Sequence, residues 1–267
     1  MSDPTVASPD CRRVFERDTP RDALDHSPGG VDKSGGKVRG MFAEIAPRYD
    51  LVNRLLSGGI DIWWRHVTVS RAPPPMSGSL LDLCTGTGDL ALAYAAKASP
   101  DVRIVAADFC GAMLAHGIEK GKKAGRAVEW VEADATALPF ATGAFDLVTV
   151  AFGLRNIDDT VRGLTEMARV LKPGGRLAIL EFSLPHNRLV RSAYLWYFRH
   201  VLPFIGNVVA RNRSDAYTYL NRSVEAFPSG AALAAIVREA GFSSIEMIPL
   251  TCGIATLSIA TRSDVDG

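Results

Sequence analysis

The chain has 267 residues, a length that favours one domain or one domain with an extension. Its composition of 47% hydrophobic and 22% charged residues is that of a globular protein that can bury a full core. The formal net charge of +1 gives no general attraction to nucleic acid. The cysteines are scattered, no apolar run approaches the roughly 18 residues of a membrane span, and no secretory signal opens the chain. We therefore expect a cytoplasmic protein without bound metal, and exclude a collagen, a transmembrane bundle, a zinc ribbon and a secreted mini-protein.

Residues 1–36 differ in composition from the rest of the chain. They contain four prolines and many charges, and Phe15 is their only aromatic residue. Because such a segment cannot bury enough apolar area to offset the loss of chain entropy, we predict a mostly disordered tail. The remaining residues, 37–267, are predicted to form one domain.

The domain begins with a helical segment, residues 37–72. Apolar residues recur at helical spacing over 38–46, 51–57 and 60–71, and Pro73 then ends the pattern. We expect these helices to form a lid over the part of the domain that follows.

From Ser79 onward, predicted strands alternate with predicted helices. Apolar strands lie at 80–83, 103–107, 128–132, 145–151 and 176–182, and helices at 89–98, 112–124 and 160–171. Apolar strands separated by helices indicate a parallel sheet covered on both faces. An aromatic-rich helical insertion, 186–230, and a helix at 233–240 follow. The last strands, 245–250 and 253–260, are predicted to pair as a hairpin at one edge of the sheet.

The strongest local signal is a glycine turn after the first predicted strand. Gly86, Thr87 and Gly88 follow that strand directly and open a helix. Glycine allows a tight turn there and lets a ligand approach the backbone closely. In nucleotide-binding sheets the ligand lies at the carboxyl ends of the strands, so we expect a cofactor at this turn.

Two acidic residues follow the next two predicted strands. Asp108 ends the second strand, 22 residues after Gly86, where a carboxylate can accept both hydrogens of a ribose diol. Asp134 follows the third strand and can contact the exocyclic amine of an adenine. A dinucleotide and S-adenosylmethionine both fit these positions, because the loop with Ala91 in third place also matches the loose dinucleotide pattern.

Later motifs separate these two cofactors. The segments 137–140 (Ala-Leu-Pro-Phe), 145–148 (Phe-Asp-Leu-Val) and 170–175 (Val-Leu-Lys-Pro-Gly-Gly) resemble those of class I methyltransferases, which use S-adenosylmethionine. This resemblance implies an α/β, doubly wound, Rossmann-like fold. Its sheet is mostly parallel and seven-stranded, with an antiparallel edge strand.

Four further stretches resemble one family, the menaquinone/ubiquinone-biosynthesis C-methyltransferases. They are 41–50 (Met-Phe-Ala-Glu-Ile-Ala-Pro-Arg-Tyr-Asp) with Asn53, 152–156 (Phe-Gly-Leu-Arg-Asn), 181–185 (Glu-Phe-Ser-Leu-Pro), and 217–228, which begins Tyr-Thr-Tyr-Leu and ends Phe-Pro. The similarity covers about residues 38–261. It implies methyl transfer from S-adenosylmethionine to a ring carbon of a prenylated quinol, either demethylmenaquinol or the methoxy-benzoquinol of ubiquinone biosynthesis.

The resemblance also implies residue roles. The cofactor positions are the loop Gly86, Thr87 and Gly88, then Asp108 on the ribose, the pair Asp134 and Ala135 near the adenine, and Ala151. Family members often carry serine at the position of Ala151, so a side-chain hydroxyl contact is lost here.

The implied reaction requires a base or a cation near the reacting hydroxyl. A quinol carbon becomes nucleophilic when the neighbouring hydroxyl loses its proton, and the negative charge that results must be stabilised. Arg155 is our candidate: it stays protonated, and would stabilise the phenolate or orient a water. The alternative is a structural pair with an acid such as Asp158. Asn156 would support Arg155, and Tyr49 would pack over the site. Asp50 is interpreted equally well as a helix cap or a site residue.

The aromatic stretch 194–205 is flanked by arginines. These are Arg188, Arg191, Arg199, Arg211 and Arg213. We interpret part of the stretch as a slot for the prenyl tail, and the arginines either as contacts to an anionic membrane or as a solvated face. Expected partners are thus a prenylated quinol and the inner membrane face, with a homodimer left open. A same-fold enzyme for another lipid-like acceptor and a non-catalytic cofactor-binding subunit remain as alternatives.

Overall fold

The computed structural model describes residues 35–185, 187–197, 200 and 216–263. The predicted disordered tail, apart from Gly35 and Gly36, therefore lies outside the described residues. So do most of the second half of the aromatic stretch and the flanking Arg199, Arg211 and Arg213.

A seven-stranded sheet forms the centre of the domain, in the order β3-β2-β1-β4-β5-β7-β6. The strands are β1 (Gly78–Leu83), β2 (Val102–Asp108), β3 (Glu129–Glu132), β4 (Phe145–Ala151), β5 (Leu171–Phe182), β6 (Phe242–Leu250) and β7 (Ala255–Arg262). Strands β1 to β5 pair in parallel, whereas β7 pairs antiparallel with both β5 and β6. The predicted doubly wound sheet and its terminal hairpin are thus confirmed.

Helices cover both faces of this sheet and its carboxyl end. They are α1 (Gly35–Ile45), α2 (Tyr49–Ser57), α3 (Ile60–Arg71), α4 (Asp89–Ala95), α5 (Gly111–Ala124), α6 (Thr160–Val170), α7 (Arg188–Trp196), α8 (Ala216–Ala226) and α9 (Ala231–Glu239). No helix within these described segments is long and apolar enough to cross a bilayer.

Alternate residues of β1 enter two different cores. Leu81 and Leu83 pack with residues of α6 and α9, whereas Leu80 packs with Trp64 of α3 and Tyr94 of α4. Because both faces of the sheet are buried, leucines occupy both sides of β1, and the one charged residue among them, Asp82, is buried as well.

The largest error among the predicted strand boundaries is at the start of β5. Strand β5 begins at Leu171, five residues before the predicted start at Arg176. The register between β4 and β5 shifts there, from Phe145 opposite Leu171 to Leu147 opposite Arg176. The Lys-Pro-Gly-Gly segment therefore forms an irregularity inside the strand. Its turn-forming residues, taken alone, predict the end of a helix instead.

Candidate active site

The predicted cofactor loop joins β1 to α4, and its two glycines have left-handed backbones. Gly86 has φ 58° and Gly88 has φ 80°, which side chains rarely adopt. A Cβ atom at Gly88 would also lie 2.3 Å from the Trp130 ring. Gly88 is therefore required both by the turn and by the packing of β3 beneath it.

Asp108 lies at the carboxyl end of β2, as predicted, and is tied to the glycine loop. One carboxylate oxygen accepts a hydrogen bond from the Gly86 N–H (2.8 Å), and the other accepts one from the Cys110 N–H (2.9 Å). Burial raises the pKa of this carboxyl to about 6, although the two N–H groups oppose the shift. Each oxygen keeps a free lone pair, so this rigid carboxylate fits a ribose diol.

The remaining predicted cofactor residues lie along the same edge of the sheet. Asp134 follows β3 and is exposed, with one oxygen accepting from the N–H and hydroxyl of Thr136, both at 2.8 Å. Ala135 beside it is buried. Ala151 ends β4, on the other side of β1 from β2. The four neighbouring strand ends therefore bring together the residues that the sequence assigns to S-adenosylmethionine, at the switch point of strand order.

The backbone is strained where β1 and β4 end. Cys84 and Phe152 have φ 53° and 56°, unusual for residues other than glycine. A Cβ atom at the following Gly153 would lie 2.3 Å from Cys84 Cβ, so the two chain ends are in close contact. Burial also raises the pKa of the Cys84 thiol well above its ordinary value, which makes this cysteine a packing residue and not a nucleophile.

Thr87 and Asp50 connect the loop to the lid. The Thr87 hydroxyl donates to one Asp50 oxygen (2.5 Å), and Lys120 of α5 donates to the other (2.7 Å). Burial opposes ionisation of Asp50, but Lys120 and Thr87 outweigh it and lower its pKa. The cap interpretation of Asp50 is therefore wrong: it lies inside the first turn of α2, and its carboxylate faces the loop.

A cavity of about 870 Å³ lies between the lid helices and the carboxyl end of the sheet. Its walls come from α1, α2 and α3, from the ends of β4 and β5, and from α7 and α8. Most lining side chains are apolar, among them Phe42, Val52, Leu56, Trp64 and Phe182. This volume and lining suit an apolar small molecule.

Two buried charges line this cavity, Asp61, which pairs with Arg65, and Arg155, whose partner is Glu181. The guanidinium donates to one Glu181 oxygen (2.8 Å) and to the Phe152 carbonyl, and the Arg155 N–H donates to the other Glu181 oxygen (3.3 Å). The guanidinium also lies over the Phe182 ring, 5.4 Å from its centre. The alternative of a structural pair between Arg155 and an acid is thus met in kind, but the acid is Glu181 at the end of β5 and not Asp158.

One donor of Arg155 is left over. Only 6% of the residue is exposed, and its Nε has no hydrogen-bond partner in the described part of the chain. A buried donor without a partner costs free energy unless a ligand or water fills that position. Arg155 therefore brings a buried positive charge to the cavity wall, while its Nε–H group is itself enclosed by protein.

Tyr49 and Asn156 meet this cavity in different ways. Tyr49 lines it and also lies against Gly86, and burial raises the pKa of its hydroxyl. Asn156 accepts a hydrogen bond from the cavity residue Tyr219 (3.2 Å) and donates to the Phe152 carbonyl (3.4 Å). Asn156 thus holds the cavity wall, whereas Tyr49 joins the cofactor loop to the cavity.

Sequence reasoning missed two functional neighbours. Glu181 belongs to the motif 181–185, but no role was predicted for it. An acidic residue near the end of an apolar strand nevertheless indicates a buried ion pair, because acids are almost never fully buried unless they are paired. Lys120 resembled an ordinary surface lysine. None of the three histidines that the structure describes lines the cavity, and His66, His116 and His200 are all exposed.

Comparison with known proteins gives consistent matches across the domain. A sequence model of the ubiE/COQ5 methyltransferase family matches residues 31–262. The demethylmenaquinone methyltransferase of Thermus thermophilus is 49% identical over 222 residues, covering 83% of this chain and 100% of that protein. The ubiquinone/menaquinone biosynthesis C-methyltransferase UbiE of Geobacter sp. strain M21 is 43% identical over 235 residues, covering 87% and 99%.

Solved structures agree on the fold. Phosphoethanolamine N-methyltransferase 2 of Haemonchus contortus, solved with S-adenosylhomocysteine, superposes with a TM-score of 0.58 at 16% identity, covering 87% of this chain and 59% of that one. A SAM-dependent methyltransferase of Aquifex aeolicus superposes with a TM-score of 0.51 at 17% identity, covering 70% and 84%.

The sheet order and the cofactor edge together define a class I methyltransferase that uses S-adenosylmethionine. The chain belongs to the ubiE/COQ5 methyltransferase family, because the family match spans most of its length. The expected fold, enzyme class and cofactor are confirmed, as is the expectation of methylation in quinone biosynthesis at the level of this family.

Proposed function

We propose that this enzyme transfers a methyl group to a ring carbon of a prenylated quinol, with demethylmenaquinol as its preferred substrate. The observation that carries the proposal is the guanidinium-bearing side chain of Arg155, which lies in the wall of an apolar cavity and is held there by Glu181. The name of the Thermus relative favours the naphthoquinol head group. The names of the Geobacter relatives favour the methoxy-benzoquinol as a second substrate.

The cofactor would be held by the loop Gly86–Gly88, by Asp108, by Asp134 with Ala135, and by Ala151. When bound there, S-adenosylmethionine supplies a methyl group already activated by a positively charged sulfur. The chain needs only to align the acceptor carbon with that methyl group and to make the carbon nucleophilic.

Arg155 would make the quinol carbon nucleophilic. Its guanidinium remains protonated, so it does not act as a base; it stabilises negative charge on the quinol oxygen or orients a water that takes the proton. Glu181 fixes the guanidinium plane, because its two oxygens accept from Nη1 and from the Arg155 N–H. Asn156 supports the same wall through Tyr219. Tyr49 lies against Gly86 and also lines the cavity, so it would pack over the point where cofactor and acceptor meet.

The lid would exclude water from this chemistry. Phe42 and Tyr49 pack edge to face, 6.1 Å between ring centres, in a small core that includes Met113 of α5. Water exclusion strengthens the interaction between Arg155 and the developing phenolate. In line with the scattered cysteines of the chain, we infer that the reaction takes place on the cytoplasmic side.

The proposal is tested with both quinols and methyl-labelled S-adenosylmethionine. We expect methyl incorporation by the unaltered enzyme, and a loss of at least about 100-fold in Arg155→Ala, because an aligned charge of this kind contributes about 3 kcal/mol. Affinity for S-adenosylhomocysteine, measured by calorimetry, should stay within a few-fold. Arg103→Ala is the matched control, because Arg103 forms an exposed ion pair with Glu129.

Two outcomes would contradict the proposal. Turnover of Arg155→Ala within a few-fold of the unaltered enzyme would remove Arg155 from the chemistry. Methylation of neither quinol, with intact binding of S-adenosylhomocysteine, would favour a same-fold enzyme for another lipid-like acceptor or a non-catalytic subunit.

A further inference from the structure

Helix α7 has two different faces, and one of them is a wall of the cavity. Val190 and Tyr194 line the cavity, and so does Tyr197 just after the helix. The Tyr197 hydroxyl donates to the Leu56 carbonyl at 2.8 Å, which fixes α7 against α2. The inner face of α7 therefore forms part of the cavity wall.

The outer face of α7 exposes large apolar side chains. Leu189 is 82% exposed and Trp196 is 60% exposed. They are seven residues apart, so they lie on the same side of the helix. Exposed apolar side chains that share one face mark an interaction surface more often than isolated ones do.

Exposed residues line the cavity in two places, at Glu44, Pro47 and Arg48 near the end of α1, and on α2 and α7. Leu55 of α2 and Ala193 of α7 both line the cavity and are both exposed. Leu51, one turn before Leu55 on α2, is 56% exposed. Apolar side chains thus flank the opening on two helices; we call Leu51, Leu55, Leu189 and Trp196 the mouth patch.

Positive charge accompanies the mouth patch on α7. Arg188 and Arg191 are exposed, and α7 contains no acidic residue. Neither arginine forms an ion pair with a residue in the described part of the chain. An apolar surface with unpaired basic side chains complements an anionic bilayer, whose headgroups are negative and whose interior is apolar.

We propose that the mouth patch, with Arg188 and Arg191, docks the enzyme on an anionic phospholipid bilayer and places the cavity opening against the lipid. The prenyl tail of the acceptor then enters between α2 and α7 without crossing water. The proposal rests on the proposed function in one respect, since a prenylated acceptor is dissolved in the bilayer. It assigns a membrane surface to α2 and α7 and leaves the chemistry at Arg155 unchanged.

Binding of the full chain to vesicles tests the proposal without any turnover. We expect co-sedimentation with vesicles of equal phosphatidylglycerol and phosphatidylcholine, little with phosphatidylcholine alone, and weaker binding as salt is raised. Arg188→Gln with Arg191→Gln should weaken binding about 30-fold, since each basic residue near such a surface contributes about a factor of five. Leu189→Ser with Trp196→Ser should weaken it by at least about tenfold.

Matched controls come from other surfaces of the same chain. Met76 is 92% exposed and precedes β1, at the amino ends of the strands, whereas the cavity lies at their carboxyl ends. Met76→Ser should therefore bind vesicles like the unaltered protein. Arg126 and Arg238 are also exposed, and their double change to glutamine removes the same charge elsewhere. It should change the binding constant by less than about threefold, because only charges held near the surface contribute strongly.

The outcomes separate this proposal from the proposed function. Absence of binding to anionic vesicles, or equal loss of binding in the Arg126 and Arg238 control, would overturn the docking surface. Methylation of a short-chain, water-soluble quinol should be unaffected in all these variants. A third outcome is that neither this quinol nor its long-chain form is methylated, while the variants change vesicle binding as predicted. In that case the proposed function fails and the docking surface stands.

Discussion

The Thr87 hydroxyl donates a 2.5 Å hydrogen bond to Asp50, and this contact joins the cofactor loop to the lid. Lys120 donates to the same Asp50 carboxylate, to the Thr87 oxygen and to Asp89. Three elements far apart in the sequence therefore share one network of charges. Movement of α2 away from the sheet would break the network, so lid position and loop conformation are coupled.

We expect Asp50→Asn to weaken this coupling. The loss of a charged hydrogen-bond acceptor for Lys120 should raise the KM for S-adenosylmethionine about tenfold, because hydrogen bonds to charged groups contribute about 1.5–3 kcal/mol. Steady-state kinetics at saturating acceptor measure this effect. Lys120→Met should behave in the same way, and the double variant should show no further loss, since both changes remove one shared interaction.

Lys122→Met is the control for this prediction. Lys122 lies on the same helix and forms an exposed pair with Glu119 (3.0 Å), away from the loop. Its KM should match that of the unaltered enzyme. A tenfold effect in Lys122→Met, or none in Asp50→Asn, would contradict the coupling between loop and lid.

Gly88 should tolerate no side chain. Alanine there would adopt a left-handed backbone and press against the Trp130 ring, so we expect Gly88→Ala to lower the free energy of unfolding by about 3 kcal/mol. Gly125→Ala has a similar φ of 61° with nothing within 4 Å, and should cost only about 1 kcal/mol. Urea unfolding of both variants tests the difference, and equal costs would mean that contact with Trp130 adds nothing.

Glu181→Gln should damage both stability and catalysis. It leaves the Arg155 guanidinium buried without its counter-charge, which costs about 3–5 kcal/mol. At a temperature where the variant is folded, kcat should fall while affinity for S-adenosylhomocysteine is kept, because Glu181 orients Arg155 and does not touch the cofactor loop. Thermal unfolding and single-turnover kinetics measure the two effects.

Glu246→Gln is the matched control for Glu181→Gln. Glu246 forms an ion pair with Arg71 of similar length, 2.7 Å, but both side chains are exposed. Exposed pairs contribute about 0–1 kcal/mol, so this variant should unfold and turn over like the unaltered enzyme. Normal turnover in folded Glu181→Gln would show that Glu181 has only a structural role.

Cofactor affinity should fall as the pH decreases through about 6. The pKa of Asp108 is raised to about 6 by burial, so the carboxylate that would accept from a ribose diol is present above this pH and lost below it. We expect affinity for S-adenosylhomocysteine to drop about tenfold or more between pH 7.5 and pH 5, with little change between 7.5 and 8.5. Calorimetry across this range measures it.

Asp108→Asn should remove this pH dependence and bind weakly throughout. Asp82 of β1 is also buried, and its pKa is likewise raised to about 6 by burial. It accepts hydrogen bonds from Thr85 (2.5 Å) and Thr149 (2.7 Å), beneath the loop. A pH dependence that survives in Asp108→Asn would assign the titration to Asp82 and contradict the role of Asp108.

Local patterns predicted the parts of the site that follow strand ends. Gly86, Asp108 and Asp134 could be placed from sequence, because parallel strands bring their carboxyl ends to one edge whatever the loop details are. Strand boundaries inside irregular segments could not be predicted from the sequence, as the early start of β5 at Leu171 shows. A bulge depends on pairing with β4, and no local residue pattern encodes that pairing.

Partners distant in the sequence were decided only by the tertiary structure. Arg155 pairs with Glu181, 26 residues on, and Asp50 pairs with Lys120, 70 residues on. The sequence by itself determined the fold class, the family and the edge of the sheet at which the predicted cofactor residues lie, because these depend on periodicity, turn chemistry and contiguous motifs. Which charges meet, and where the apolar cavity opens between α2 and α7, depends on how helices pack, and packing is a property of the assembled chain.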